Sequence, residues 1–279
     1  MSSTPTAKAD GTVLTGVSET ALLTLRARAN EARRTDSIID DPTAIQLADS
    51  IDYDFTKFGF SRRRGLAVRA VAYDRNTRRY LEDHPKATVV ALAEGLQTSF
   101  QRLAAAGVGD QFQWLTVDLP PIIELRRNLL PASDRVRMCA QSALDFGWID
   151  QVETEHGVFI TAEGLLMYLA PDDALRLIAE CAARFPGGQM MFDLPPAVFA
   201  SLARSGMRAS LRYRIPPMPF TMSVSEAASL VNSVPGIRAV HDLPYPVGRG
   251  KVLNTLISTA QRLPLLQPIR PVLTLLVFG

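Results

Sequence analysis

The run Thr88-Val89-Val90-Ala91-Leu92-Ala93-Glu94-Gly95-Leu96-Gln97-Thr98, with Leu115-Thr116-Val117-Asp118 further on, constrains the fold more than any other part of the chain. Its apolar, β-branched start reads as a strand buried on both faces. The run breaks at a small-residue turn bearing Gly95, and the second strand ends in an acid. That is the layout of a nucleoside-binding βαβ unit. The tight turn lets backbone approach a ligand, and the carboxylate can accept hydrogen bonds from ribose hydroxyls. The plainer alternative keeps Gly95 as a strand-to-helix turn and Asp118 as a helix N-cap ahead of Pro120 and Pro121.

A complete G-x-G-x-x-G is missing, so the pyrophosphate cradle of a dinucleotide site is not supported. One glycine and one acid suit a cofactor that has a ribose but no phosphates. S-adenosylmethionine, leaving as S-adenosylhomocysteine, is such a cofactor.

At 279 residues the chain fits one large α/β domain or a core with an appended lobe. A hydrophobic fraction of 47% against 21% charged residues supplies ample core. The net charge of +2 does not call for nucleic acid. Arginines do cluster at 62, 63, 64, 69, 75, 78 and 79, which reads as a solvated helix face with room for one or two to bind a carboxylate. No aromatic interleaving accompanies them. Cys139 and Cys181 make neither a disulfide framework nor a metal spacing, and His84, His156 and His241 are scattered. The N-terminus lacks a charged-then-apolar leader. The apolar end is interrupted by Pro268, Arg270 and Pro271, short of the ~20 residues of a membrane span. The expectation is a cytoplasmic protein with a small-molecule partner and neither nucleic acid nor membrane.

Along the chain, residues 1–16 read as a loose tail, and 17–279 as a single domain. Residues 17–86 form a helical part, with helical patterning over 18–49 broken at Asp36 and Asp41-Pro42 and an Arg-rich helix at 61–83. The core, 87–194, alternates strands at 87–93, 112–118, 135–140, 157–162 and 188–194 with helices at 98–106, 120–129 and 172–184. That alternation predicts a parallel sheet with crossover helices. Pro195, Pro196, Pro216, Pro217 and Pro219 flank one helix in 195–222, which reads as a lid inserted after the fifth strand. Within 223–279 come a helix at 223–233, a strand near 237–243, another helix and a last strand at about 271–278. Antiparallel pairing of the two late strands completes a seven-stranded, mostly parallel sheet.

Acids and glycines recur at strand ends, where open α/β sheets bind ligands. Ser142-Ala143-Leu144-Asp145 follows the third strand and places a carboxylate where it could accept from an adenine amine. Glu163-Gly164 follows the fourth, with Tyr168 beyond it. Taken singly, each has a structural reading: a turn cap, an acid favoured at a helix start, a packing tyrosine.

Together these residues resemble the leucine carboxyl methyltransferase-like enzymes, which include bacterial polyketide O-methyltransferases. The resemblance covers roughly 17–245. It rests on Val68-Arg69-Ala70-Val71-Ala72-Tyr73-Asp74, Leu92 to Thr98 with Arg102 downstream, Val117-Asp118, Ser142 to Asp145, and above all Ala162-Glu163-Gly164-Leu165-Leu166-Met167-Tyr168-Leu169. It implies a class I, Rossmann-like methyltransferase fold using S-adenosylmethionine. In that reading Arg69 holds the methionine carboxylate, and the loop around Gly95, through Thr98, meets the methionine portion. Asp118 takes the ribose, Leu144 and Asp145 the adenine, and Glu163 the cofactor side of the site. Tyr168 faces the reacting centre.

The loop departs from the family's usual Leu-Gly-x-Gly-x-Asp-Thr. Ala93 replaces the first glycine and Gln97 the aspartate, while Glu94 adds a carboxylate that could bond the methionine ammonium. An alanine forced to positive φ would be strained. A carboxylate acceptor needs no base, being ionised at neutral pH. A phenol or hydroxyl would gain from one, and none of the histidines is nominated by position. Phe199, Met207, Tyr213, Met218, Phe220 and Met222 suit an apolar acceptor pocket or ordinary lid packing. The leading expectation is an O-methyltransferase acting on a small apolar, polyketide-like metabolite. Its rivals are a protein C-terminal carboxyl methyltransferase and a noncatalytic nucleoside-binding scaffold.

Overall fold

The structure, a computed structural model, describes residues 8–59, 64–244 and 270–279. Arg62, Arg63 and the helix expected between the last two strands lie outside the described residues.

Two short strands, β1 (Ala9–Asp10) and β2 (Ile51–Asp52), pair in parallel at the N-terminal end. Ala9 and Asp10 fall in the stretch read as a loose tail. A pairing two residues long leaves no periodicity to detect. Helices α1 (Thr20–Ala32) and α2 (Pro42–Ser50) follow. The expected break at Asp41-Pro42 is an N-cap: the Asp41 carboxylate accepts from the Ala44 N–H, and Pro42 occupies the first turn, where it sacrifices no hydrogen bond. Helix α3 (Arg64–Asp83) leads into the core.

There β3 (Thr88–Leu92), α4 (Ser99–Ala105), β4 (Gln113–Asp118), α5 (Pro120–Leu129), β5 (Val136–Ala140), β6 (Val158–Ala162), α6 (Pro171–Arg184) and β7 (Gln189–Leu194) fall within a residue or two of their expected limits. Residues 195–222 hold the expected helix, α7 (Ala197–Arg204), and an unexpected hairpin of β8 (Arg208–Ser210) and β9 (Tyr213–Arg214). Strands this short cannot show an alternating pattern. Helix α8 (Val224–Ser233), fixed by a Ser223–Glu226 capping box, precedes β10 (Ile237–Asp242), and β11 (Val272–Phe278) ends the chain.

The seven-stranded sheet runs β10-β11-β7-β6-β3-β4-β5. Strands β3 to β7 are parallel, while β11 is antiparallel to both β7 and β10. The last strand therefore inserts between β7 and β10, leaving β10 at the edge. Strand β3 is buried on both faces, as its composition demands. Val90 and Leu92 pack with α1, α5 and α6, whereas Val89 and Ala91 pack with α3 and α4. Because the strand order reverses between β3 and β6, their following loops diverge and open a crevice at the carboxyl edge. Among the described residues no helix is long and apolar enough to cross a membrane.

Candidate active site

A cavity of about 860 Å3 occupies that crevice. The loops after all five parallel strands reach it: Ala93, Gly95 and Gln97 after β3, Asp118 and Leu119 at the end of β4, Gln141 to Leu144 after β5, Glu163 to Leu165 after β6, and Asp193, Pro195 and Pro196 at the end of β7. The start of α1 roofs the β3 loop, and α3 supplies Leu66, Val68 and Arg69. The segment after β7 adds Phe199, Met207, Arg208, Tyr213 and Met218. Of the expected site residues, Arg69, Glu94, Gly95, Asp118, Leu144, Glu163 and Tyr168 therefore border one space.

Two backbone conformations shape the β3 loop. Gly95 has φ +61°, and a Cβ there would lie 3.1 Å from Cβ of Ala21, so α1 descends this far because both residues are small. Ala93 has φ 48°, the one non-glycine residue with positive φ among those described. The alanine in place of the family's glycine does sit in the left-handed region, at a cost of about 1–2 kcal/mol. Three loop carbonyls are held from below. Arg126 donates to Gly95 O (2.9 Å) and Gln97 O (2.8 Å), and Arg28 donates to Leu96 O at 2.6 Å.

Asp118 meets the cavity next to this loop. Its carboxylate accepts from the Gly95 N–H at 2.6 Å and the Leu119 N–H at 2.7 Å. Burial outweighs those bonds and pushes its pKa up to about 6. Glu163 is raised too, by burial first, with Arg69 opposing. It accepts from Arg69 Nε at 3.0 Å and from the Gln97 amide at 2.7 Å. Gln97 thus has a purpose as a neutral donor, since an aspartate at this position would set two carboxylates against each other.

Three expectations need correction. Glu94 borders the cavity, but its carboxylate is buried and bound in the core, where Oε2 accepts from Thr116 (2.5 Å) and Trp114 (3.3 Å) and pairs with Arg126 at 2.9 Å. A buried ion pair outcompetes the ligand ammonium expected for it. Thr98 is fully buried beneath the loop, donating to Asp41 and accepting from Arg28 and Arg102, both at 2.8 Å. It anchors the loop and does not line the cavity. Asp145 is exposed and outside the cavity wall, because the chain turns there into the 3-10 helix Phe146–Gln151. Leu144, one residue earlier, remains in the wall.

Several residues at the site went unread. Asp193 lies one residue before the end of β7, whereas Asp118 is the last residue of β4, so a strand-end rule widened by one residue would have found it. Arg28 and Arg126 carried no signal, because nothing in a helix sequence says which arginine faces the core, and Asp41 signalled only a helix start.

The leucine carboxyl methyltransferase family model matches residues 21–182. The tetracenomycin polyketide synthesis O-methyltransferase TcmP of Streptomyces glaucescens is 35% identical over 227 residues, covering 81% of this chain and 82% of that one. The S-adenosyl-L-methionine-dependent methyltransferase dpfgK of Gibberella zeae is 29% identical over 245 residues, with 81% of each chain covered. Among solved structures, a Thermobifida fusca protein provisionally assigned as a methyltransferase matches at TM-score 0.54 and 16% identity, covering 91% of this chain and 94% of that one. The plantazolicin methyltransferase BamL, solved with SAH and a triazolic desmethylPZN analogue, matches at TM-score 0.50 and 8% identity, covering 93% and 98%. The two solved structures share the fold.

Proposed function

This chain belongs to the leucine carboxyl methyltransferase family and is an S-adenosylmethionine-dependent methyltransferase; from that premise we propose that it methylates an oxygen of a small, largely apolar metabolite of polyketide type. The observation behind this reading is the lid wall of the cavity. Phe199, Met207, Tyr213, Ile215 and Met218 border the same space as the strand-end acids. An apolar wall with few polar groups suits an aromatic or aliphatic small molecule. The lid above it favours a small molecule over a protein C-terminus, which needs an open groove. TcmP, whose name places it in polyketide synthesis, is similar to this chain over most of its length.

The residues fit the cofactor. Asp118, Gly95 and Leu144 border the cavity; in this reading Asp118 would take the ribose hydroxyls, the Gly95 backbone would meet the methionine portion, and Leu144 would pack on the adenine. Arg69 also borders the cavity, and the family resemblance would give it the methionine carboxylate. Bound there, the cofactor supplies a methyl group already activated by a sulfonium. The chain's own part is to hold an acceptor oxygen in line and exclude water, which can lower a barrier by up to ~7–11 kcal/mol. Glu163 and Asp193 are both tied to Arg69, and among the described residues no histidine borders the cavity. An acceptor oxygen that is already ionised, a carboxylate or an acidic phenol, suits such a site.

The test is a mass-shift screen of aromatic polyketide-type acids and phenols with S-adenosylmethionine, set beside C-terminal peptides. Gain of one methylene mass on a small acid or phenol supports the reading. Methylation of peptides alone would replace it with the protein carboxyl methyltransferase.

A further inference from the structure

Arg69 is held by more than the cofactor-side acid expected for it. Besides Glu163 at Nε, the guanidinium meets Asp193, whose Oδ2 accepts from Nη1 at 3.2 Å. Asp193 is itself fixed. Its Oδ1 accepts from the Gly164 N–H at 2.8 Å and from the Tyr73 hydroxyl at 3.0 Å. Tyr73 lies one helical turn beyond Arg69 on α3, so both point from the same face toward the end of β7. Gly164 completes the fit: with φ +66°, a Cβ there would lie 2.9 Å from Arg69 Nη1, so the turn admits the guanidinium only because the residue is glycine.

We infer that Asp193, braced by Tyr73 and the Gly164 N–H, is a positioning residue that aims Arg69 at the amino-acid end of the cofactor. The physical reason is preorganisation. A free arginine side chain holds about 2 kcal/mol of rotamer entropy. Gripped at two edges of its rigid plane by carboxylates that are 9% and 4% exposed, Arg69 has surrendered that freedom on folding. Binding then does not incur the loss. Asp193 is the more specific of the two grips, because three separate donors converge on one buried carboxylate from α3 and from the turn after β6.

The inference rests on the assignment of Arg69 to the methionine carboxylate, and the experiment separates the two. Calorimetry compares S-adenosylhomocysteine with 5′-methylthioadenosine, which keeps adenosine and sulfur but lacks the amino-acid end. Asp193→Asn, which keeps the shape and removes the charge, is expected to weaken S-adenosylhomocysteine roughly tenfold while 5′-methylthioadenosine changes less than about twofold. Tyr73→Phe should give a smaller effect of the same kind, roughly threefold, and it decides the matter if Asp193→Asn does not fold. Equal weakening of both ligands would reduce Asp193 to a structural acid. Unchanged or tighter S-adenosylhomocysteine binding would make it a competitor for Arg69 and also overturn the inference. Arg69→Ala provides the control on the premise: if it leaves the ratio of the two ligands unaltered, the carboxylate assignment fails and the role of Asp193 with it. If Arg69→Ala moves the ratio and the Asp193 and Tyr73 variants do not, only the role of Asp193 is lost.

Discussion

Ala93 carries a strained conformation next to the site, and its neighbours make that affordable. The loop below it is clamped by Arg126 and Arg28, so the chain cannot relax by rotating away. Ala93→Gly is expected to stabilise the fold by about 1 kcal/mol, the relief being partly offset by the larger unfolded-state entropy of glycine. A thermal melt checks this, and a lower midpoint would mean that packing of the methyl outweighs the strain. Asp118 makes a second prediction. Its carboxyl, raised by burial to about 6, is neutral below that pH, whereas ribose hydroxyls donate best to the ionised form. Affinity for S-adenosylhomocysteine should be flat above about pH 7 and fall by up to about tenfold per unit below 6. The sign for the unliganded fold is opposite. A folded pKa above the ordinary 3.8 contributes stability that is fully present below about 4 and lost as the pH rises through about 6. Affinity independent of pH over this range would separate Asp118 from the ribose. At this scale the sequence was readable where a residue type coincided with a strand end. It failed at Glu94, since one residue's step along a turn decides whether a carboxylate enters the cavity or the core.

Between elements, the site depends on a buried ionic knot that joins α1, α2, α3 and α4 under the β3 loop. Asp41 caps α2 and accepts from Arg28 and Arg102 at 2.8 Å each, while Arg102 also grips Asp74 of α3 at 2.6 Å. Burial works to raise the Asp41 carboxyl, but the two arginines outweigh it and hold it below the ordinary range. Removing the shared acceptor strands two buried guanidinium groups. Asp41→Ala is therefore expected to destabilise by about 3–5 kcal/mol, measured from the denaturant midpoint. A loss under about 1 kcal/mol would show that water reaches the knot. Strand and helix limits were legible because β3, β4, β6 and β7 are short, mostly apolar runs and prolines mark the starts of α2, α5 and α6. The part played by α1 was not. Its sequence shows a helix, but nothing local says that Ala21 rests on Gly95 beside the cavity.

For the molecule as a whole, the cavity draws its walls from α1, α3, the ends of five parallel strands and the segment after β7, so a ligand there would tie distant parts of the chain together. The turn Phe55–Phe58 reinforces that link. Lys57 pairs with Glu19 just ahead of α1, while Asp54 pairs with Arg212 in the lid hairpin at 2.8 Å. S-adenosylhomocysteine at a hundred times its Kd should stabilise the fold by about 2.7 kcal/mol, raising Tm by roughly 5 °C or more. A Tm that does not move would contradict cofactor binding in this cavity. By itself the sequence determined the alternation of strands and helices, the parallel core and the acids at strand ends, because these follow from local periodicity and from where apolar runs stop. Only the tertiary structure decided which side chains share the cavity. It turned Glu94 inward, buried Thr98, left Asp145 outside and brought Asp193 to Arg69 across 124 residues of chain. Those outcomes depend on ion pairs between elements far apart in sequence, and no local pattern encodes them.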